Sequence, residues 1–164
     1  MRSSESEEKI QTKAKNAAYR LLAFRPHSRF ELETKLRDRE YPDDVIASVV
    51  ADLARFGYVN DPEFARSWAA SRIRLRGFGR RRIEQELRVR GIGSDVIRET
   101  LPDVFGEEPE IEIARRETEK KLKSLVRYDP EVRRRRLAGH LERKGFSAEI
   151  IHTLLREIPI FPER

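Results

Sequence analysis

Apolar residues recur along this chain at intervals of three and four positions, in short segments that end at glycine or proline. One segment places Val45, Val49 and Leu53 at i, i+4 and i+8, which aligns them on one face of an α-helix. Val, Ile and Thr do not form the alternating runs that are typical of half-buried strands. The pattern therefore predicts an all-α protein.

Start and stop signals divide the chain into many short helices. Ser28 and Glu31 have the spacing of a capping box, and residues 60–62 (NDP) combine an N-cap candidate with a proline in the first turn. The first helix is predicted over residues 14–24, because the proline that follows cannot continue it. Residues 1–13 are predicted to form a flexible tail.

The same apolar set occurs three times along the chain. Leu36, Leu87 and Leu141 correspond, at offsets of 51 and 54 residues. Four further sets fall in the same register: Leu32, Ile83 and Leu137; Tyr41, Ile92 and Phe146; Val45, Val96 and Ile150; and Val50, Leu101 and Leu155. Chance similarity between helical stripes is the alternative, but the shared Gly91 and Gly145 favour a true repeat.

A repeat of this length predicts an elongated array of three tandem three-helix units. Hydrophobic residues make up 38% of the chain and charged residues 39%, which suits small cores with much solvated surface. Each unit is expected to bury its own core and to lean on its neighbour. The units are predicted at residues 14–58, 59–106 and 107–164.

Composition narrows the classes of function. The net charge of +6 favours an anionic partner, such as nucleic acid or an acidic protein surface. The absence of cysteine excludes disulfides, thiolate metal sites and a cysteine nucleophile. No apolar run approaches the roughly 20 residues that cross a bilayer, and the N-terminal segment is polar. We expect a soluble, cytoplasmic protein and, since no heptad seam stands out, a monomer.

The chain contains few residues in catalytic arrangements. Its three histidines show no HExxH spacing, and no GxxxxGK[ST] loop is present to hold nucleotide phosphates. The adjacent acids at 43–44 and 107–108 point in different directions on a helix and do not make an acid/base pair. The sequence predicts a binding protein without cofactor or metal rather than an enzyme such as a nuclease.

The feature of the sequence that most clearly indicates a function is a cluster of basic residues. Residues 66–90 contain nine arginines and two acids, a net charge of seven that exceeds that of the whole chain. Arginine suits bidentate contacts with phosphates and carboxylates. The candidates for partner or DNA contact in this cluster are Arg72, Arg74, Arg76, Arg80, Arg81, Arg82, Arg88 and Arg90. A solvated helix face is the alternative.

A second cluster follows in the third unit. Its candidates are Arg133, Arg134, Arg135 and Arg136, with Arg143 and Lys144 nearby. Both clusters fall around the start of the middle helix of a unit, so that similar units would form a repeated basic ledge. More acids neighbour the second cluster than the first.

Arg72 is unusual among these arginines because it falls inside the apolar arc that Phe64, Trp68 and Leu75 form on a helix. An arginine there must snorkel, pair with an acid or serve a site; snorkelling or a structural ion pair is the favoured interpretation. Trp68 is predicted to belong to the core, with stacking on a base as the alternative.

These residues resemble the RecX family, bacterial regulatory proteins that act on the RecA recombinase. The resemblance runs from about Ala14 to Leu155. The residues of its central motif, expected to be mainly structural, are Gly57, Asn60, Asp61, Phe64, Ala65, Trp68, Gly77, Ile83, Glu86, Leu87 and Gly91. Glu40 departs from the pattern, because the family usually has glycine at the end of the first unit's middle helix, and the turn into Tyr41 could differ.

The resemblance implies three tandem three-helix repeats in a curved, elongated array. It implies that the partner is the RecA filament on single-stranded DNA, with the protein in the filament groove. It also implies inhibition or modulation of RecA's ATPase, strand-exchange and co-protease activities, and DNA binding by some members. The alternative is a general nucleic-acid-binding helical repeat protein, for which we expect tight, salt-sensitive DNA binding without RecA.

Overall fold

The computed structural model describes residues 2–157, with side chains from residue 7 onward, and every regular element in that range is an α-helix. The helices are α1 (Arg2–Phe24), α2 (Arg29–Arg37), α3 (Asp43–Arg55), α4 (Asp61–Arg76), α5 (Arg80–Val89), α6 (Ser94–Glu107), α7 (Glu110–Lys123), α8 (Pro130–Lys144) and α9 (Ala148–Glu157). The third unit is predicted to extend to residue 164, and residues 158–164 lie outside the described residues.

The helices form three consecutive units, α1–α3, α4–α6 and α7–α9, which we call units 1, 2 and 3. Within each unit every helix packs against the other two. The predicted all-α fold of three tandem three-helix repeats is confirmed. Contacts between the described helices concentrate within each unit rather than between units, so the array is extended.

The N-terminal segment departs from the predicted tail. Helix α1 begins at Arg2, so residues 2–13 continue the helix that was expected to start at residue 14. No glycine or proline interrupts residues 2–24, and Glu, Lys, Gln and Ala are good helix formers. The segment also contacts α3, because Gln11 Nε2 donates to Ser48 Oγ at 3.1 Å.

Two predicted helix starts are formed by side-chain caps. Ser28 Oγ accepts the amide of Glu31 at 3.1 Å, and Asn60 Oδ1 accepts the amide of Glu63 at 3.0 Å. The capping box at Ser28 is incomplete, because the Glu31 carboxylate binds Arg25 at 2.8 Å instead of reaching back to the cap. The Ser28 hydroxyl in turn donates to the carbonyl of Arg90 in unit 2 at 2.6 Å.

The middle helix of each unit ends in the same left-handed turn. Glu40, Gly91 and Gly145 occupy equivalent positions, with φ of 63°, 73° and 90°. The next amide then donates back into the last helical turn: Tyr41 to the Leu36 carbonyl (3.4 Å), Ile92 to Leu87 (3.1 Å) and Phe146 to Leu141 (3.2 Å). Glu40 therefore keeps the turn that glycine makes elsewhere, at the steric cost of a Cβ in this conformation.

The buried apolar side chains of the described residues form two hydrophobic cores rather than three. Unit 1 has its own core, centred on Leu32, Leu36 and Leu53. Units 2 and 3 share one continuous core, in which Leu87, Leu141 and Phe146 are fully buried. The expectation of one core per unit is therefore corrected for units 2 and 3, because their backbones approach closely enough for side chains of both units to pack together.

Glycine makes this close approach possible. The amide of Gly79 donates to the Lys144 carbonyl at 2.8 Å, and the amide of Arg81 donates to the Gly145 carbonyl at 3.1 Å. A Cβ on Gly79 would lie 2.7 Å from the Gly145 oxygen, and a Cβ on Gly145 would lie 2.4 Å from the Arg82 nitrogen. Side chains at these two positions would separate the units.

We expect Gly79→Ala to lower the free energy of unfolding by about 1–3 kcal/mol, because its Cβ would collide with backbone across the junction. The matched control is Gly93→Ala. Both glycines precede a helix in an extended conformation, but a Cβ on Gly93 meets nothing within 4 Å. Thermal or urea unfolding measures both variants, and equal stability would contradict the close contact.

We expect Glu40→Gly to raise the free energy of unfolding by about 1 kcal/mol, since glycine removes the steric cost of the left-handed backbone at an exposed position. Asp38→Gly is the control, because Asp38 is exposed with φ −61° and gains only flexibility from glycine. The free energy of unfolding of Asp38→Gly should therefore fall below that of the wild type. A lower free energy of unfolding in Glu40→Gly would show that the left-handed backbone does not determine the stability effect at this position.

Candidate partner-binding surface

The first arginine cluster lies on both sides of a tight turn between α4 and α5. Gly77 ends α4 in a left-handed conformation with φ 58°, and Gly79 precedes α5 in an extended one. Arginines that close α4 and arginines that open α5 therefore lie at the same end of unit 2. This end is also the one that contacts unit 3.

Glu86 on α5 gathers several of the candidate arginines. Its Oε2 lies 2.8 Å from Arg72 Nε and its Oε1 lies 3.6 Å from Arg82 Nε. Arg90 Nη1 donates to the Glu86 carbonyl at 3.0 Å. Burial alone would raise the pKa of Glu86, but the hydrogen bonds from Arg72 and Trp68 hold that pKa below its usual range. Arg72 thus makes a structural ion pair inside the unit.

Trp68 belongs to the same cluster. Its Nε1–H donates to Glu86 Oε2 at 3.0 Å. The guanidinium carbons of Arg72 and Arg90 lie 3.9 Å and 3.6 Å from the indole centroid, and the Phe64 ring stacks at 5.8 Å. The ring is part of the internal packing of unit 2, and its cation–π contacts help to hold the two arginines in place.

The junction between units 1 and 2 is polar. Glu31 of α2 binds Arg25 and lies 3.7 Å from Arg90 Nε of unit 2. Burial opposes ionisation of Glu31, yet the hydrogen bond from Arg25 lowers its pKa below the usual range. The amide of Arg29 donates to Asp61 Oδ1 at 2.8 Å across the same junction. Sequence reasoning treated Glu31 as a capping residue and did not foresee this role.

A buried carboxylate also lies at the junction between units 2 and 3. Glu117 on α7 is 5% exposed and binds Lys144 at 3.0 Å and Lys120 at 2.9 Å. Burial would raise its pKa, but these two ammonium groups lower it. Sequence reasoning missed Glu117, although its position four residues after the buried Ile113 marks it as a charge on an apolar helix face.

Two more arginines of the first cluster have internal partners. Arg88 pairs with Glu84 at 3.2 Å, one helical turn away on an exposed surface, where such a pair contributes little. The Arg80 guanidinium lies 5.1 Å from the Phe105 ring centroid, and the Arg80 amide donates to Glu110 Oε1 at 2.8 Å. Burial raises the pKa of Glu110 above its ordinary value.

Three arginines remain open, namely Arg74, Arg76 and Arg81. All three are exposed, and no side-chain hydrogen bond or ion pair holds any of their guanidinium groups within residues 7–157. The backbone around them is anchored, since the Arg76 carbonyl accepts from Lys144 Nζ and the Arg81 amide binds Gly145. These are exposed cations without an ion pair among the described residues, on a rigid support, and Arg81 has a nearby carboxylate, that of Glu110. We call the three residues the open arginines.

The second cluster also contains both arginines with internal partners and arginines for which the described residues provide no ion pair. Arg133 Nη2 donates to the carbonyls of Val126 and Tyr128, which fixes the loop before α8. The Arg136 guanidinium lies 4.1 Å from the Tyr128 ring centroid. Arg134 is half-buried and Arg135 is exposed, and neither makes an ion pair in the described part of the chain.

The structure does not merge the two clusters into one patch. The start of α5 meets the C-terminal end of α8, whereas residues 133–136 lie in the first half of that 15-residue helix. They precede Gly145 by nine to twelve residues, which is about 14–18 Å along the helix axis at 1.5 Å per residue. Lys144 lies with the first cluster, through its contact with Arg76. The two clusters are separate positively charged surfaces that follow one another along the array.

The described residues contain no group of three or more His, Asp or Glu side chains that could hold a metal ion. Among the described helices, none has the length and apolar character needed to cross a membrane.

Family models match the chain in three consecutive segments. "RecX, first three-helix domain" matches residues 14–53, the second domain matches residues 60–101, and the third matches residues 108–155. A protein of Thermobifida fusca named "Regulatory protein RecX" is 37% identical over 154 residues, which cover 94% of this chain and 83% of that protein. A protein of the same name from Mycobacterium avium is 34% identical over 164 residues, covering 98% and 94%.

Solved structures show the same fold. The crystal structure of RecX from Lactobacillus salivarius superposes with a TM-score of 0.82 at 24% identity, covering 92% of this chain and 97% of that one. A second crystal structure, of a "regulatory protein RecX", superposes with a TM-score of 0.83 at 21% identity, covering 95% and 76%.

The ion pairs of Glu86 predict a specific loss of stability in acid. Because the folded-state pKa of Glu86 lies below its ordinary value of 4.5, its stabilisation is present above that pH and disappears as the pH falls through the folded pKa. We expect Glu86→Gln to lower the free energy of unfolding by about 1–2 kcal/mol at pH 7 and to flatten its decline below pH 4.5.

Urea denaturation between pH 7 and pH 3 measures this difference. The control is Glu119→Gln, because Glu119 is exposed and makes no ion pair within residues 7–157. Parallel pH curves for the wild type and Glu86→Gln would contradict a stabilising role for this carboxylate.

Proposed function

This chain belongs to the RecX family of regulatory proteins, and on that premise we propose that it binds the RecA filament on single-stranded DNA. Lying in the filament groove, it inhibits or modulates RecA's ATPase, strand-exchange and co-protease activities in DNA repair and recombination. The proposed activity is binding, without a cofactor. The protein acts as a monomer in the cytoplasm.

The observation that supports this proposal most directly is the set of open arginines. Arg74, Arg76 and Arg81 are exposed cations beside a junction that backbone hydrogen bonds and a shared core make rigid. Pre-organised arginines lose little freedom on binding and suit both phosphates and carboxylates. They can therefore contact acidic groups of a protein filament or the DNA inside it.

The extended shape supports the same proposal. Basic groups recur from one unit to the next, at the start of α5 and near the start of α8. When contacts repeat along one array, the second contact forms within a complex that already exists, so it adds binding energy without a second loss of translational and rotational freedom. A filament with a regular repeat of acidic groups is a partner that such an array fits.

A general nucleic-acid-binding protein is the second candidate, and the net charge of +6 favours it. It predicts tight, salt-sensitive binding to free DNA, with no effect on RecA beyond competition for the DNA.

ATP hydrolysis by the RecA of the same organism on single-stranded DNA separates the two candidates. The protein is titrated into this reaction, and its binding to the same DNA without RecA is measured in parallel. Inhibition well below the concentration that coats free DNA supports the filament regulator. Inhibition that only tracks occupancy of the DNA supports the second candidate.

We expect the double variant Arg74→Glu with Arg81→Glu to need roughly tenfold more protein for half-inhibition, because reversed charges repel an acidic partner. The control is Lys9→Glu with Lys123→Glu, which changes the net charge equally at exposed lysines that make no ion pair within residues 7–157. Circular dichroism verifies that both variants fold. Equal inhibition by the two double variants would show that the open arginines do not contact the partner.

A further inference from the structure

A groove between α1 and α2 of unit 1 has no assigned role. It encloses about 340 Å³, within the range of small ligand sites. Its lining residues are Arg20, Leu21, Phe24, Arg25, His27, Lys35 and Arg39. Phe24 stands at its edge with 88% of its surface exposed, the largest exposure of any big apolar residue among those described.

The groove is strongly positive. It is lined by three arginines and a lysine, and no acidic residue lines it. Arg25 is neutralised by Glu31. Arg20, Lys35 and Arg39 make no ion pair within residues 7–157, and Lys35 is half-buried, so that these cations share a partly enclosed space without a counter-charge.

Comparison with the other two units shows what is missing. At the repeat offsets of 51 and 54 residues, Arg39 corresponds to Arg90 in unit 2 and Lys144 in unit 3. Each of those cations has a carboxylate nearby: Glu31 lies 3.7 Å from Arg90, and Glu117 lies 3.0 Å from Lys144.

The residue that precedes this cation by one helical turn differs between the units. In unit 2 it is Glu86, which also binds Arg72, and in unit 1 it is Lys35. In unit 2 Trp68 and Arg72 pack against Glu86, and a smaller groove of about 220 Å³ remains beside Glu86 and Arg90. At the positions of Trp68 and Arg72, unit 1 has the smaller Ala17 and the uncharged Leu21. Unit 1 thus has an open space and an extra cation where unit 2 has an aromatic ring and an acid.

We propose that the α1–α2 groove binds a single-stranded nucleic acid, with a phosphodiester group between Lys35 and Arg39 and a base stacked on Phe24. Cationic grooves flanked by exposed aromatic rings are how single strands are bound without base-specific hydrogen bonds. An acidic peptide would satisfy the cations but would leave Phe24 without a partner. The inference rests on the proposed function in taking single-stranded DNA as the ligand, and it requires no RecA.

The test measures fluorescence anisotropy of a labelled oligothymidylate of twelve nucleotides titrated with the full chain in the absence of RecA. Lys35→Glu introduces the residue that unit 2 carries at this position, so the fold is expected to tolerate it. We expect its affinity to fall roughly tenfold and the dependence of log affinity on log salt to become shallower by about 0.7 or more. Lys123→Glu, with the same change in charge on an exposed lysine of unit 3, is the control.

A second variant tests the aromatic contact. Phe24→Leu introduces the residue that unit 2 carries at the equivalent Leu75, which keeps an apolar side chain but removes the ring. We expect its affinity to fall about fivefold with an unchanged salt dependence, because stacking on a base involves no counterion release. Thermal unfolding of both variants separates lost binding from lost structure.

Three results would overturn the proposal. The wild type could fail to bind the oligonucleotide, or folded Lys35→Glu could bind it as well as Lys123→Glu does. Alternatively, Lys35→Glu could lose binding of a labelled oligoglutamate peptide while retaining full DNA affinity, which would assign the groove to an acidic protein. Because RecA is absent from this assay, the DNA site stands or falls independently of the RecA ATPase measurement.

Discussion

The left-handed turn after the middle helix of each unit is the constraint on which the rest of the array depends. It reverses the chain sharply enough for Tyr41, Ile92 and Phe146 to hydrogen-bond back into the helix they follow. In units 2 and 3 the turn also touches the preceding unit, where a Cβ on Gly91 would meet Phe30 and one on Gly145 would meet Arg82. Gly91 and Gly145 are required both because a Cβ would clash with the preceding unit and because φ is positive. At the exposed Glu40 only the positive φ disfavours a side chain.

The two junctions of the array are built from different physical interactions. Units 2 and 3 are joined by backbone hydrogen bonds and a shared apolar core, which hold two small domains as one body. Units 1 and 2 are joined by hydrogen bonds from Ser28 and Arg29 to unit 2 and by the ion pair of Glu31 with Arg90. The ion pair of Glu31 with Arg90 weakens with salt and acid, whereas the apolar core between units 2 and 3 does not. The regulatory surface we propose lies beside the apolar junction.

Much of the positive charge in this protein serves the fold. Glu86 and Glu117 each collect several cations at the places where helices or units meet, and both carboxylates are kept ionised by those partners. Arginines that look equivalent in a linear cluster therefore divide into internal and open groups. The open arginines and the α1–α2 groove are what the fold leaves available to an anionic partner.

Local and repeated features of this protein were determined by the sequence. Apolar periodicity, caps at Ser28 and Asn60 and the matched leucines at 36, 87 and 141 predicted three-helix units, because these signals act within one or two helical turns. Only the tertiary structure decided which arginines are free and where the cores merge. Those outcomes depend on contacts between residues far apart in the chain, such as Glu31 with Arg90 or Gly79 with Lys144. A cluster of arginines in the sequence does not show which distant residue each arginine contacts.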